Sequence, residues 1–222
     1  MKKVFYLFAI CGILFTSCDK EKDKEEIYSF LSPEKFLEHP LIKKAIEEAG
    51  IEVNKGDNPP TLEGTYLTSG SVIMAHQLYQ QLVGVQIRSE FILSNQTSAG
   101  TISFRENVGG ITATGIGGFI TGENGKFTIY GVSTQGTEAG LPAGVSADVV
   151  LLMLGTRLSN ENLTVKGLTI ITSISPAAYK SIEGAWYMWD ANFNLQTGAK
   201  SVEHSSEISK KLTDIHFNYL TN

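Results

Sequence analysis

Hydrophobic and polar residues alternate over much of the chain beyond position 60, and this alternation predicts β-strands. In the clearest stretch, 85–93, the apolar residues at 85, 87, 91 and 93 would share one face, and Gln86, Arg88 and Glu90 the other. Turn sequences such as Glu-Asn-Gly at 123–125 separate the strands at short intervals. The pattern predicts an all-β fold, an antiparallel barrel of about 8–10 strands, with a β-sandwich as the alternative. Other strands are predicted at 63–68, 101–105, 111–120, 126–133, 149–154, 163–174 and around 215–219.

Some segments deviate from simple alternation. Residues 149–154 are apolar throughout, which predicts a strand that is covered on both faces. Residues 163–174 change phase at Gly167, which predicts a β-bulge at that glycine. Residues 69–82 fit either one face of a helix or a long loop, and residues 176–194 begin like a helical turn.

A short helical segment is predicted immediately before the barrel. Ser32 is a favourable N-cap, Pro33 suits the first helical position, and Gly50 is a typical helix stop. Apolar residues between 41 and 49 form one stripe, which predicts a helix that packs on the barrel or covers one of its ends; a partner-binding helix is the alternative. The chain is thus divided into a helical segment with its linker at 32–60 and a β-barrel domain at 61–222.

The first 31 residues predict export and a lipid anchor. Two lysines at 2 and 3 precede a mostly apolar run at 4–15, which is too short to cross a bilayer as a helix and fits a signal peptide. The sequence Phe-Thr-Ser-Cys at 15–18 resembles a bacterial lipobox, which implies a lipoprotein signal peptide at 1–17 and lipidation of Cys18. Residues 19–26 are all charged, so residues 18–31 are interpreted as a lipidated, solvated tether to the membrane.

Charge and cysteine usage narrow the function classes. The formal net charge is −5, and it becomes −7 when the two lysines of the signal peptide are removed. The arginines are Arg88, Arg105 and Arg157, which are far apart, so no basic stripe for nucleic acid is expected. Because Cys11 lies in the signal peptide and Cys18 carries lipid, the barrel has no cysteine for a disulfide or a nucleophile. The histidines lack ligand spacing, and neither a metal nor a cofactor is expected.

Two stretches of the chain are similar to a group of Bacteroidota lipoproteins of unassigned function. The first comprises Ala-Gly-Ile at 49–51, Gly-Asp-Asn-Pro-Pro at 56–60 and Leu-Glu-Gly-Thr-Tyr at 62–66. The second comprises Gly-Phe-Ile-Thr-Gly at 118–122 and Gly-Lys-Phe-Thr-Ile-Tyr at 125–130. The resemblance implies a calycin-like or lipocalin-like barrel on an outer-membrane lipoprotein. The charged run after Cys18 also resembles the export signal of surface lipoproteins in Bacteroidota, which implies exposure at the cell surface.

Both tryptophans lie in one short aromatic stretch. Trp186, Tyr187 and Trp189 are close in sequence to the polar residues Asp190 and Asn192, and these five are the predicted ligand-binding residues. Exposed tryptophan beside carboxylate and amide groups would stack on a sugar ring and bind its hydroxyls, whereas the same aromatic residues would equally fill a barrel core. Because neighbouring residues alternate, one face of this strand could be core and the other exposed.

Three functions are compatible with these features. The first is a non-catalytic envelope protein that binds a small apolar or glycan ligand, because barrel interiors and mouths provide pockets. The second is a structural, assembly or protein-interaction component of the envelope. The third is a hydrolase, although the chain has no Gly-x-Ser-x-Gly, His-Glu-x-x-His or phosphate-loop motif.

Overall fold

The computed structural model describes residues 32–68, 70–78, 80–108, 111–135 and 144–196. The predicted signal peptide, Cys18, the charged tether and the predicted strand around 215–219 lie outside these residues. The described strands are antiparallel throughout, and short 3-10 helices at Gln80–Leu82 and Ala177–Ile182 interrupt them. The elements are α1 (Pro33–Glu38), α2 (Pro40–Ala49), β1 (Gly64–Thr68), β2 (Ser71–His76), β3 (Gln86–Ile87), β4 (Ser89–Ser94), β5 (Ser103–Val108), β6 (Ile111–Glu123), β7 (Lys126–Gln135), β8 (Ser146–Arg157), β9 (Asn162–Ser175) and β10 (Trp186–Leu195).

The strands form one sheet that closes on itself, which confirms the predicted barrel over the sandwich. The sheet order is β1-β4-β5-β6-β7-β8-β9-β10-β2-β3, and β1 also pairs with β10. β1 and β2 follow each other along the same edge of β10, and on their other side they pair with β4 and β3 respectively. β1 and β2 therefore share one position around the barrel, and β3 and β4 share the next. The remaining strands follow in chain order.

The tight hairpin between β6 and β7 follows directly from its sequence. Asn124 and Gly125 both adopt positive φ, at 53° and 80°, which is the backbone conformation that a two-residue hairpin turn requires. In β7 the side chains of Phe127 and Ile129 point into the barrel, in keeping with the alternation of apolar and polar residues. The neighbouring β8 is buried on both faces, which confirms the interpretation of its continuous apolar run.

The predicted bulge at Gly167 is wrong. Gly167 pairs without interruption with Met153 on one side and Trp189 on the other. The register of β9 instead shifts near Thr172, at the far end of the strand, where Asp148 and Val149 change partners. The apolar residues after Gly167 need not turn inward, because the helices cover the outer face of β9 and bury them there.

The helical segment covers one outer side of the barrel. The Ser32 hydroxyl accepts a hydrogen bond from the Lys35 amide at 3.4 Å, and Gly50 ends α2 with a left-handed backbone at φ 63°, as predicted. Ile42 and Ala45 of α2 are buried in an apolar cluster with residues of β7, β8 and β9. No helix within the described ranges is long and apolar enough to span a bilayer.

Candidate functional site inside the barrel

Strand β10 places the five predicted ligand-binding residues on two different faces. Tyr187 and Trp189 belong to the inward face, where they pack with the core of the barrel. Trp186 packs with the outer cluster beneath the helices, and Asp190 and Asn192 line an outer groove. The alternation expected from the sequence is therefore present, and it separates the aromatic pair inside from the other three residues outside.

Trp189 is a core residue near the middle of the barrel. Its side chain is 5% exposed, and its ring stacks on Phe91 at 5.9 Å between centroids and meets Phe193 edge-on at 6.3 Å. Its Nε1 donates a hydrogen bond to the Thr169 hydroxyl at 3.3 Å. Gly167 leaves space for the indole, because a Cβ at that position would lie 2.0 Å from Trp189 Cε2. Trp189 therefore lies at the boundary between the apolar part of the interior and the polar residues.

Beyond Trp189 several inward residues are polar, and they are followed by a buried apolar cluster that includes Val149 and Ala185 and against which Ile171 packs. Glu106 of β5 lies directly opposite Phe91 in the register, so it shares the inward face. Tyr187 lies opposite both Thr169 and His76, and the His76 and Tyr187 rings stack at 5.6 Å. Together with two serines whose hydroxyl oxygens are 3.4 Å apart, these residues define what we call the polar chamber: Glu106, Tyr187, His76, Thr169, Ser71 and Ser89.

The side chains of the polar chamber differ in exposure. Glu106 and Tyr187 point inward and keep part of their surface accessible to solvent, whereas His76, Thr169, Ser71 and Ser89 are buried. Burial raises the pKa of Glu106 from 4.5 to about 7. Burial, and then the charge of Glu106, raise the pKa of Tyr187 to about 12. Both shifts reflect burial of the two groups inside the barrel.

Among the described residues, no lysine or arginine forms an ion pair with Glu106. None of the described lysines or arginines is directed into this part of the interior. Arg157 has an inward register position opposite Leu163, but it lies at the other end of the barrel. There its guanidinium donates hydrogen bonds to the Thr61 and Ser159 carbonyls and to the Asn160 side chain. The described part of the chamber therefore contains an acid without an opposite charge.

Trp186 is tied to the helical segment instead of being free to stack on a ligand. Its Nε1 donates a hydrogen bond to Glu48 of α2 at 2.9 Å, and Gln77 donates to the same carboxylate oxygen at 3.1 Å. The indole packs with the outer cluster and remains partly exposed. Trp186 therefore helps to hold α2 against the barrel.

Asp190 and Asn192 line a shallow groove on the outer surface of β8, β9, β10 and β2, with a volume of about 650 Å³. Thr164 and Lys166 line its other side. One carboxylate oxygen of Asp190, Oδ1, is buried and has no hydrogen-bond partner in the described part of the molecule. The groove is lined by apolar residues such as Met74 and Leu154 as well as by polar ones, and it includes no aromatic side chain for stacking on a sugar.

Glu106, His76 and Thr169 were not predicted as site residues from the sequence. A signal for Glu106 was present, because it continues the inward phase of Ile102 and Phe104 with an acidic residue. The described residues contain no group of three or more histidines, cysteines or acids that could hold a metal ion. The chain matches no protein-family model, no curated protein and no solved structure.

Proposed function

We propose that this protein is a non-catalytic binding protein of the bacterial cell envelope that holds a small ligand inside its barrel. In this proposal the ligand places a polar group in the chamber around Glu106 and an apolar portion against Tyr187 and the aromatic core below it. A lipid on Cys18 attaches the protein to the outer membrane, and the charged tether carries the barrel away from the bilayer, at the cell surface.

One observation carries the proposal: the inward side chains of Glu106 and Tyr187 are enclosed and yet retain accessible surface. Closed sheets of about eight strand positions leave an interior that side chains can just fill or that can hold one small ligand. Here the inward side chains of the apolar end are mostly buried, and the proposal places the ligand where Glu106 and Tyr187 remain partly accessible. Burying a polar group without a partner costs about 1–3 kcal/mol in proteins, so such groups are expected where a ligand uses them.

Native mass spectrometry of the lipid-free chain from position 27 onward, produced in its source cells, tests the proposal. A stoichiometric adduct of defined mass is expected. In Ser89→Phe the added ring would occupy the chamber, so the adduct should be lost while a cooperative thermal transition persists. The matched variant Asn192→Ala, on the outer face of β10, should keep the adduct. A chain that carries no adduct in any preparation would contradict the proposal.

A second candidate function is glycan binding in the outer groove, and the unpaired Asp190 oxygen favours it. A sugar hydroxyl would supply the missing donor, and Asn192 would bind a neighbouring hydroxyl. Under this alternative, the outcomes above are reversed: Asp190→Ala and Asn192→Ala abolish the adduct, and Ser89→Phe preserves it. The same set of variants therefore assigns the ligand to one of the two sites.

A further inference from the structure

We propose that the polar chamber selects ligands with a basic nitrogen, and that the ammonium group binds against the Glu106 carboxylate with the ligand body on the ring of Tyr187. This inference rests on the proposed function, because it names the chemical class of the ligand at that same site. It predicts small organic amines with an aromatic or alkyl portion, not fatty acids or other anions.

The charge distribution is the first reason. Glu106 is the acidic side chain that the described strands direct into the barrel, and no described lysine or arginine faces it. An anionic ligand would place a second negative charge in an enclosed space. A cation within about 4–6 Å would instead stabilise the ionised carboxylate. A cationic ligand would therefore supply the positive charge that no described lysine or arginine places beside Glu106.

The chamber walls are the second reason. Tyr187 presents an aromatic ring next to the carboxyl group, and an aromatic ring face attracts a cation. The hydroxyl of Thr169 and the hydroxyls of Ser71 and Ser89 can accept hydrogen bonds from an ammonium group. Below them lie the buried, stacked rings of Phe91 and Trp189, so the apolar portion of the ligand would pack mainly against Tyr187.

The titratable groups that face Glu106 set the expected pH dependence. In the described residues they are Tyr187, whose pKa is raised to about 12, and His76. The neighbours of Glu106 on β5, Arg105 and Asn107, point outward, and Glu90 on β4 accepts a hydrogen bond from Asn107 on that outer face. Because burial raises the pKa of Glu106 to about 7, the free carboxyl becomes ionised on going from acidic to mildly basic pH. Affinity for an amine should rise over the same range.

The two tryptophans allow a direct test. Trp186→Phe removes the outer indole and leaves Trp189, two residues from Tyr187 on the inward face, as an internal fluorescence reporter. Three probes of similar size are titrated against this variant: phenethylamine as the cation, 2-phenylethanol as the neutral analogue and 3-phenylpropanoate as the anion. Titrations at pH 5.5 and pH 8.5 compare the two states of Glu106, since an alkylamine resembling lysine stays protonated at both.

The expected result is an affinity for phenethylamine at pH 8.5 that exceeds that for 2-phenylethanol by about tenfold or more, the factor equivalent to one pH unit. At pH 5.5 the preference should fall. Glu106→Gln should bring the amine to within about threefold of the alcohol at both pH values, within the spread of such measurements. Glu90→Gln changes the same residue type on the outer face and should leave the preference intact.

Three outcomes overturn this inference and leave the proposed function intact. The first is equal binding of amine and alcohol that Glu106→Gln does not alter, and the second is tighter binding of 3-phenylpropanoate. The third is an adduct from source cells whose elemental composition has no basic nitrogen and whose binding Ser89→Phe abolishes. If instead no adduct exists and none of the three probes changes the Trp189 emission, the proposed function fails as well.

Discussion

The two ends of the barrel interior are built from the same strands and yet have opposite character. At one end Phe127, Leu163 and Phe193 are at most 3% exposed and belong to a large apolar cluster. Toward the other end the inward positions include serine, threonine, tyrosine, histidine and glutamate, beside a smaller apolar cluster. Gly155 makes the apolar end tighter still, because a Cβ there would lie 2.4 Å from Phe127 Cζ.

This difference separates what folds the chain from what the chain can do. Burying a large apolar side chain stabilises a protein by about 1.5–3 kcal/mol, whereas an unpaired buried polar group destabilises it. The apolar end and the outer cluster beneath the helices therefore supply the stability. At the polar end burial disfavours the ionised form of Glu106, and places where a sequence departs from the most stable choice are where binding sites are expected.

The largest effect is expected from shortening a side chain at the apolar end. Phe127→Ala should lower the free energy of unfolding by about 3–5 kcal/mol, because the cavity left by a fully buried ring cannot collapse within a closed sheet. Tyr187→Phe removes a hydroxyl from the polar end and should cost less than about 1.5 kcal/mol. Urea denaturation followed by circular dichroism measures both. Equal losses for the two variants would show that the ends do not differ in packing.

The next effect depends on pH. The pKa of Glu106 in the folded chain, about 7, lies above its ordinary value of 4.5, so the folded state binds the proton more tightly than the unfolded state. The stability contributed by this group is complete below pH 4.5 and is lost as the pH rises through about 7. The loss is at most about 3 kcal/mol, and less because the side chain is partly accessible.

Glu106→Gln should remove this loss, because the amide is neutral throughout. The unfolding free energy of the variant, relative to the unmodified chain, should therefore rise between pH 4.5 and pH 8.5. Glu90→Gln, on the outer face of β4, should show no such rise. Thermal unfolding at several pH values gives both differences, and a flat profile for Glu106→Gln would mean that Glu106 is well solvated.

The all-β class was predictable because the alternation in this chain is strong and local. The strands predicted at 126–133 and 101–105 are present as β7 and, from position 103, as β5, and Glu-Asn-Gly at 123–125 forms the expected hairpin. The helix caps at Ser32 and Gly50 were also predictable, since capping depends only on adjacent backbone groups. In each case the forces that fix the structure act between near neighbours in the sequence.

The errors arose where distant strands decide the outcome. The segment 69–82, interpreted as a helix face or a long loop, contains β2, because β10 offers it a pairing edge. The bulge expected at Gly167 was inferred without knowing that a helix covers the outer face of β9. The chamber could not be assembled from the sequence either, because Glu106, His76 and Tyr187 meet only when the sheet closes.

The smallest effect is expected on the outer face of β10, and it contrasts the two tryptophans. Trp186→Phe removes the hydrogen bond to Glu48 but keeps a ring in the outer cluster, so it should lower the unfolding free energy by about 0.5–1.5 kcal/mol. Trp189→Phe leaves a gap beside Gly167 in the closed interior and should cost more. Urea denaturation of both single variants makes the comparison. A larger loss for Trp186→Phe would mean that the attachment of α2, rather than the apolar end of the barrel, limits the stability of the fold.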